Sequence, residues 1–437
     1  MDQSDKVDVI VIGAGPSGLA CAYTLAKRGI EVLVLERGSY PGSKNMFGGI
    51  FFSSLMEKIL PEFIEEAPWE RYVSKRRFSM LVDDSDIAFE MKSSTFNSPP
   101  YNHSFLGKRS KIDRWFAQIV ENVGADIICN YNVDNFLYDN GNVVGITSGG
   151  EEDSIFANVI VCAEGANSIL AEKAGLSDML TPSRRSLAVK ENIALPEKVI
   201  NDRFQLNEKE GAAYEYFGSS VEGLLGNGFI YTNKDSLSVG VGFSLKDLIE
   251  KNDGRTPNDV LENFKNHPSI KPLIKDGETI EYIAHMMPCE KHGALPKLYR
   301  DGLLLVGDAA GLVNTSFFHE GINLAMASGI YAAETIIAAK EKNDYSSRSL
   351  CEYQNKLNGS FVMDDLKNCK NFISFLDSHR HFINEYPSLA NDVLTEYFKV
   401  SEKSKKSIKK DIFHKIRNNI KLTRLPGDLW GAFRDLI

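Results

Sequence analysis

The stretch that most constrains the fold is Val7 to Arg37, VDVIVIGAGPSGLACAYTLAKRGIEVLVLER. Val7 to Ile12 is an apolar, β-branched run, the pattern of a strand buried in a parallel sheet. Gly13, Gly15 and Gly18 follow as G-x-G-x-x-G. The first glycine permits a tight turn, the second lets a pyrophosphate approach the backbone, and the third lets a helix lie close to the strand. Pro16 stands where that helix begins and where its missing N–H costs nothing. The helix is expected to run to about Arg28, with Gly29 as its stop. Its first turn offers unpaired N–H groups and a positive dipole end to phosphate oxygens. A second strand, Glu31 to Leu35, leads into Glu36, an acid about twenty positions beyond the glycines that can accept from ribose hydroxyls. This order predicts a dinucleotide-binding βαβ unit; an ordinary tight turn would leave Gly18 and Glu36 unexplained. The motif alone does not choose between FAD and NAD.

A chain of 437 residues is long enough for two or three domains with buried cores. A net charge of −9, with no basic stripe interleaved with aromatics, argues against nucleic acid as a general partner. No apolar run is read as approaching the ~18 residues of a spanning helix. The short acidic N-terminus leads straight into the first strand, so no signal peptide is expected. Cys21, Cys129, Cys162, Cys289, Cys351 and Cys369 contain no C-x-x-C pair, and neither a zinc site nor an iron–sulfur cluster is expected. A reducing, cytoplasmic compartment fits that usage.

Beyond Arg37 the glycines, proline and polar residues of Gly38 to Gly49 predict a loop whose backbone could lie close to a flat ring system, with Lys44 and Asn45 as polar contacts. Phe78 to Val82 and Ile87 to Met91 are strand candidates. Lys108 to Val120 reads as a polar turn into an amphipathic helix. The Asn140-Gly141 turn between apolar runs predicts a hairpin. Ala157 to Leu170 is a strand, a small-residue turn and a helix start. Arg184 to Phe243 is strand-rich, with a turn at Asn233-Lys234-Asp235, and Pro257 to Ile274 is expected to be helical. An apolar strand, Leu303 to Val306, delivers Gly307-Asp308, where a carboxylate can bond a ribitol hydroxyl and Ala309-Ala310-Gly311 permits close approach of phosphate. A long helix from about Gly321 to Lys340 follows. Its N-terminus favours negative charge near Asp308. The fold expected is α/β: a two-motif Rossmann-like FAD domain from 1–77, 107–180 and 281–340, an inserted β-sheet substrate or quinone domain from 78–106 and 181–280, and a helical region from 341–437.

The two nucleotide motifs together resemble a two-motif FAD protein of the hydroxylase and reductase type. Pro41 to Phe51 (PGSKNMFGGIF), Val189 to Gln205 (VKENIALPEKVINDRFQ) and Gly226 to Gly240 (GNGFIYTNKDSLSVG) narrow this. They resemble FixC proteins, flavoprotein relatives of electron transfer flavoprotein–quinone oxidoreductase. The likeness continues through GDAAG, INLAMASG and PSLA, over nearly the whole chain. It implies an FAD enzyme that takes electrons from a heterodimeric electron transfer flavoprotein and passes them towards a quinone, paired with a separate ferredoxin-like iron–sulfur subunit. The cofactor residues it implies are Gly13, Ala14, Gly15, Pro16, Ser17, Gly18, Glu36, Arg37, Lys44, Gly48, Gly49, Arg109, Val133, Gly165, Gly307, Asp308, Gly311, Gly321, Ile322 and Asn323. Two departures stand out. Glu164 occupies a turn where relatives usually carry Asp. His319-Glu320 precede Gly321 where Arg is expected; His319 reads either as a proton-moving group beside the flavin or as a helix-start residue.

A polyprenyl reductase of the geranylgeranyl type shares the architecture but resembles a Tyr-x-Trp-x-Phe-Pro strand, and here Phe229-Ile230-Tyr231-Thr232-Asn233 has neither Trp nor Pro. The same fold also serves flavin monooxygenases, which activate oxygen, and could serve a non-catalytic FAD-bearing scaffold, against which the intact motifs weigh. Finally, Ser401 to Arg424 carries nine Lys/Arg in an acidic protein. With Phe413, Ile416, Ile420 and Leu422, and then Leu425, Trp430 and Phe433, the segment 401–433 reads as a solvated face, a dock for an acidic subunit, or a peripheral contact with an anionic membrane.

Overall fold

A computed structural model describes residues 6–44, 48–151, 153–177, 181–289, 295–419, 427–428, 431 and 434. The first strand, Lys6–Ile12, is flanked by the parallel strands Asp153–Cys162 and Val32–Glu36. Leu303–Leu305 extends the parallel sheet on one side and Asp126–Cys129 on the other. The two-residue strand Tyr299–Arg300 runs antiparallel at the edge. The Asn135–Asp139 and Asn142–Ser148 hairpin joins Asp153–Cys162, turning at Asn140 and Gly141, both with positive φ as the Asn-Gly pair demands. The parallel strands are aliphatic on both faces because helices cover both. Their carboxyl ends, at Ile12, Glu36, Cys162 and Leu305, open on one crevice, the usual ligand position in such sheets.

A second sheet of nine strands faces that crevice. Its order is Glu278–Pro288, Arg185–Ala194, Ser236–Ser244, Gly226–Thr232, Glu210–Gly218, Arg71–Val82, Ser104–Lys108 and Gly48–Phe52, with Ser85–Lys92 beside Arg71–Val82. Three boundaries differ from those read in the sequence. Gly48–Phe52 pairs with Ser104–Lys108 as a strand of this sheet, and Arg71–Val82 enters it at residue 71 instead of 78. Glu278–Pro288 pairs along Arg185–Ala194, so the sheet reaches past residue 280. These are ladders between segments far apart in sequence, and no local pattern encodes such a partner. The expected helix over 257–274 is two, Pro257–Asn266 and Lys271–Ile274. His267 precedes Pro268 and takes ψ 136, the extended value that a following proline imposes.

The helix Ile322–Lys342 is long and apolar enough to cross a membrane, which corrects the expectation that no such run exists. It is a core helix: 67% of its most apolar window is buried, and it crosses Pro16–Ala26 so closely that a Cβ at Gly329 would stand 2.1 Å from the Ser17 carbonyl oxygen. Short helices follow, from Ser347–Leu350 to the pair Glu385–Phe398 and Lys405–Asn419. Phe372, Phe375, Leu376 and Ile383 from this region form one apolar cluster with Leu225, just before the strand Gly226–Thr232.

Candidate functional site

The glycine turn is built for two different demands. At Gly13, whose φ is +103°, a Cβ would meet the Ala163 carbonyl oxygen at 2.4 Å, and at Gly18 one would meet the Gly13 carbonyl oxygen at 2.0 Å. Both glycines are required by the protein's own backbone. At Gly15 a Cβ would meet only the Arg109 Nη2, at 3.5 Å. The fold leaves that space open towards the crevice, as a bound pyrophosphate requires.

Glu36 ends its strand with each carboxylate oxygen held by one backbone donor: Ala14 N–H to Oε2 at 2.9 Å and Gly38 N–H to Oε1 at 2.7 Å. Lone pairs remain for a ligand's hydroxyl donors. Arg109 opens the helix Arg109–Asn122 and grips the buried Asp113 through Nε (2.8 Å) and Nη2 (2.6 Å). Burial weighs against the Arg109 charge, but the Asp113 carboxylate outweighs it and holds the guanidinium above its ordinary value. Asp308, beyond Leu303–Leu305, is pushed up by burial and partly drawn back by Arg109. One guanidinium thus faces three carboxylates, Asp113, Glu36 and Asp308, a donor set suited to a ligand with both phosphates and hydroxyls.

Arg109, Glu36 and Asp308 line one cavity of about 520 Å³ between the two sheets, a size typical of cofactor sites. Gly13, Gly15, Pro16, Ser17, Glu36, Arg37, Lys44, Gly49, Arg109, Val133, Gly165, Asp308, His319, Gly321 and Ile322 all line it. Other expected residues stand behind the wall. Ala14 is buried and spends its N–H on Glu36, and Gly18 packs against the Gly13 turn. Gly307 donates its N–H to Ser328 Oγ, and Gly311 closes the Asp308 turn in the left-handed conformation. Asn323 accepts from Leu55 N–H and donates to Glu320, so it ties loops together. Gly48 belongs to a strand of the second sheet, and Asn45 lies outside the described residues. Glu164 accepts the N–H groups of Leu170 (2.9 Å) and Ala171 (2.8 Å) and so caps a turn, a role its extra methylene accommodates.

Sequence reading missed the far wall. Phe217, Phe229, Tyr231, His285 and Met287 project from the second sheet, while Phe317 from the loop before Ile322 and Phe372, Leu376 and Ile383 from the helical region close the space. Phe229 and Tyr231 stack with centroids 5.0 Å apart, while Ile230 between them points into the opposite core. That period-two alternation in FIYTN was the available signal. Burial, followed by repulsion from Arg109 and Arg37, lowers His285 to about 4 and keeps it neutral on that wall.

The fold and this cavity define a flavoprotein of the hydroxylase type, and residues 6–357 match the FAD binding domain model. Residues 372–436 match the model of the ETF-QO/FixC family C-terminal domain. The chain is 40% identical to protein FixC of Bradyrhizobium diazoefficiens over 93% of its own length and 94% of that protein's. It is 38% identical to protein FixC of Azotobacter vinelandii over 99% of both chains. It is 37% identical to a probable electron transfer flavoprotein-quinone oxidoreductase of Escherichia coli over 93% and 94%. The chain therefore belongs to the FixC family and is an FAD-dependent oxidoreductase. Among solved structures, a geranylgeranyl bacteriochlorophyll reductase-like protein from Thermoplasma acidophilum superposes with TM-score 0.71 at 22% identity, covering 95% of this chain and all 100% of its own. The flavin-dependent brominase Bmp2 does so at 0.66 and 17%, covering 94% and 100%. At those identities the likeness is one of fold.

FAD fits the site. The Gly15 opening and the Pro16 helix end suit its pyrophosphate, Glu36 suits a ribose, and Asp308 with the Ile322 helix end suits the ribityl and ring portion. The flavin supplies the redox chemistry; the chain's residues bind it, orient it and set its electrostatic surroundings.

Proposed function

We propose that this chain accepts electrons from a heterodimeric electron transfer flavoprotein and passes them through FAD towards a quinone, working with a separate ferredoxin-like subunit. The observation that carries this reading is the extension of the cofactor cavity into an apolar chamber. Phe217, Leu225, Phe317, Phe372, Leu376 and Ile383 line it, and a quinone ring buries well among such side chains. A lipid-soluble acceptor also implies a meeting with the membrane, and the segment 401–433 is proposed for that contact, on the cytoplasmic face. Family membership and the match over 372–436 support the choice of an electron transfer flavoprotein and a quinone. The test is reconstitution of the FAD-loaded protein with an electron transfer flavoprotein and a short-chain quinone, with and without the ferredoxin-like subunit. Quinone reduction that depends on both partners is the expected result. Direct NADH oxidation at comparable rate by this chain alone would favour a flavin monooxygenase instead.

A further inference from the structure

The loop between Asp308 and the Ile322 helix holds a histidine in an unusual state. Asn314 and Glu320 exchange both backbone bonds, Asn314 N–H to Glu320 O at 2.8 Å and Glu320 N–H to Asn314 O at 3.0 Å. This closed loop forces His319 to φ +48°, a region non-glycine residues adopt only when the surroundings over-determine it. The imidazole lines the cavity and is 30% exposed. Its Nδ1 lies 3.5 Å from Oε1 of Glu215, at ion-pair distance but without a hydrogen bond.

Glu215 is the second unusual group. It lies on the cavity-facing side of the strand Glu210–Gly218, opposite Phe229, and its side chain is 1% exposed. Arg76 Nη2 reaches the same Oε1 at 3.1 Å, while Oε2 has no hydrogen-bond partner. A carboxylate taken out of water with one oxygen orphaned is costly unless function retains it. Burial disfavours its charge, but the His319 imidazole and then the Arg76 guanidinium outweigh that and hold it below the usual carboxylate range. Tyr231, whose hydroxyl is pushed up by burial and then by Glu215, completes the apolar side. On the His319 side stand Glu320 and, beyond it, Asp365. Burial pushes both carboxyls up: Glu320 is partly drawn back by its Asn323 hydrogen bond, and Asp365 is raised further by Asp364. Arg76 and His319 both reach solvent, so this buried carboxylate joins a wet edge to the cavity wall.

We propose that His319, set against Glu215 and Arg76, moves the proton that accompanies reduction of the bound flavin. Bound FAD would take up one proton together with the two electrons that its redox partner delivers. That proton leaves Nε2 of the imidazolium: an imidazole N–H bond breaks and a flavin N–H bond forms. The neutral imidazole is reprotonated from solvent through its exposed edge. Glu215 is the positioning residue. It faces Nδ1 at 3.5 Å and holds the imidazole against the cavity wall. Arg76 offsets the carboxylate's charge so that the pair survives burial.

The test reads the midpoint potential of the bound FAD against pH, by dithionite titration of the FAD-loaded protein. His319→Asn is the first variant, because Asn tolerates the left-handed backbone that the loop imposes. Glu215→Gln, isosteric and uncharged, is the second. The native protein should show a break in the slope of potential against pH. His319→Asn should lose that break, and Glu215→Gln should move it, because the negative charge that faces Nδ1 is gone. A His319→Asn protein that keeps the native break overturns the proposal. If that variant does not retain FAD, Glu215→Gln decides alone, and an unmoved break overturns it. A merely structural role for His319 would change FAD retention or Tm and leave the pH profile as it was.

Discussion

At the scale of single residues, glycines that look equivalent in the motif separate by what surrounds them. Gly15→Ala places a methyl group in open cavity, so the apoprotein should keep its native Tm while FAD affinity falls at least tenfold, measured by fluorescence titration. Gly18→Ala drives a methyl group into the Gly13 carbonyl and should destabilise the fold by about 1–3 kcal/mol, as overpacking does. Equal loss of stability in the two variants would remove the distinction. The positions and the separate roles of Gly15 and Gly18 were legible from the motif; the Ala163 carbonyl against Gly13 and the Arg109 side chain beside Gly15 were not, because the fold brings them in from far along the chain. Lys190 is another residue whose state is set by the fold. It lies 1% exposed inside the second sheet, and burial, eased by Glu281 and reinforced by Lys108, lowers it from 10.5 to about 7. Between about 7 and 10.5 the unfolded chain holds a proton that the folded chain lacks, so stability should rise with pH across that window; below 7 both are charged and the full penalty stands. Each unit corresponds to about 1.4 kcal/mol. Lys190→Met removes the titration, so in urea unfolding it should compare more favourably with the native protein at pH 7 than at pH 10. The same difference at both values would place the amine's charge elsewhere.

At the scale of elements, segments with strong local periodicity were read correctly: the first strand and helix, the Asn140-Gly141 hairpin, the amphipathic helix at 109–122 and the long helix after Gly321. Gly48 and Gly49 were read as the end of a loop because two glycines before a short apolar run carry no strand signal until Ser104–Lys108 lies alongside. The cavity's near wall was legible where short stretches carry their own pattern, the glycine turn with Glu36 and the strand that delivers Asp308. The far wall was not, because its aromatic side chains come from several strands and helices. Core helices raise the opposite problem, since Ile322–Lys342 has a membrane helix's composition and is distinguished by its contact with Pro16–Ala26. Gly329 sits at that crossing against Ser17. Gly329→Leu should force the helices apart, lower Tm by several degrees and weaken FAD retention, since both helix ends reach the cavity. A circular-dichroism melt unchanged by this substitution would contradict the crossing.

At the scale of the whole molecule, charge is distributed against the average. The chain carries −9 overall, yet the helix pair Glu385–Phe398 and Lys405–Asn419 gathers cations at one end. Of the nine basic residues, Lys403 pairs with Asp411 and Lys415 with Asp392, and Lys421 and Arg424 lie outside the described residues. Lys405, Lys406, Lys409, Lys410 and Arg417 are exposed. Ile408 is buried, and Ile412 and Ile416 are half-buried, whereas Phe413 is 59% exposed and Phe398 73%, with Val400 at 95% between the helices. The apolar residues expected at 420, 422, 425, 430 and 433 fall outside the described residues. A surface that shows aromatic side chains among lysines suits an anionic bilayer better than an acidic protein, because water-exposed Phe gains by entering the headgroup region. Each cation near such a surface contributes about 1 kcal/mol, screened over about a Debye length. Replacing Lys405, Lys406, Lys409 and Lys410 by Gln should therefore abolish co-sedimentation with vesicles containing anionic lipid. The native protein should bind them, release with added salt, and ignore neutral vesicles. Phe398→Ser with Phe413→Ser should weaken binding at low salt without changing its salt slope, since those side chains contribute area and no charge. If the four-glutamine variant sediments as the native protein does while its association with the partner subunits is lost, the patch is a protein dock and the membrane contact lies elsewhere.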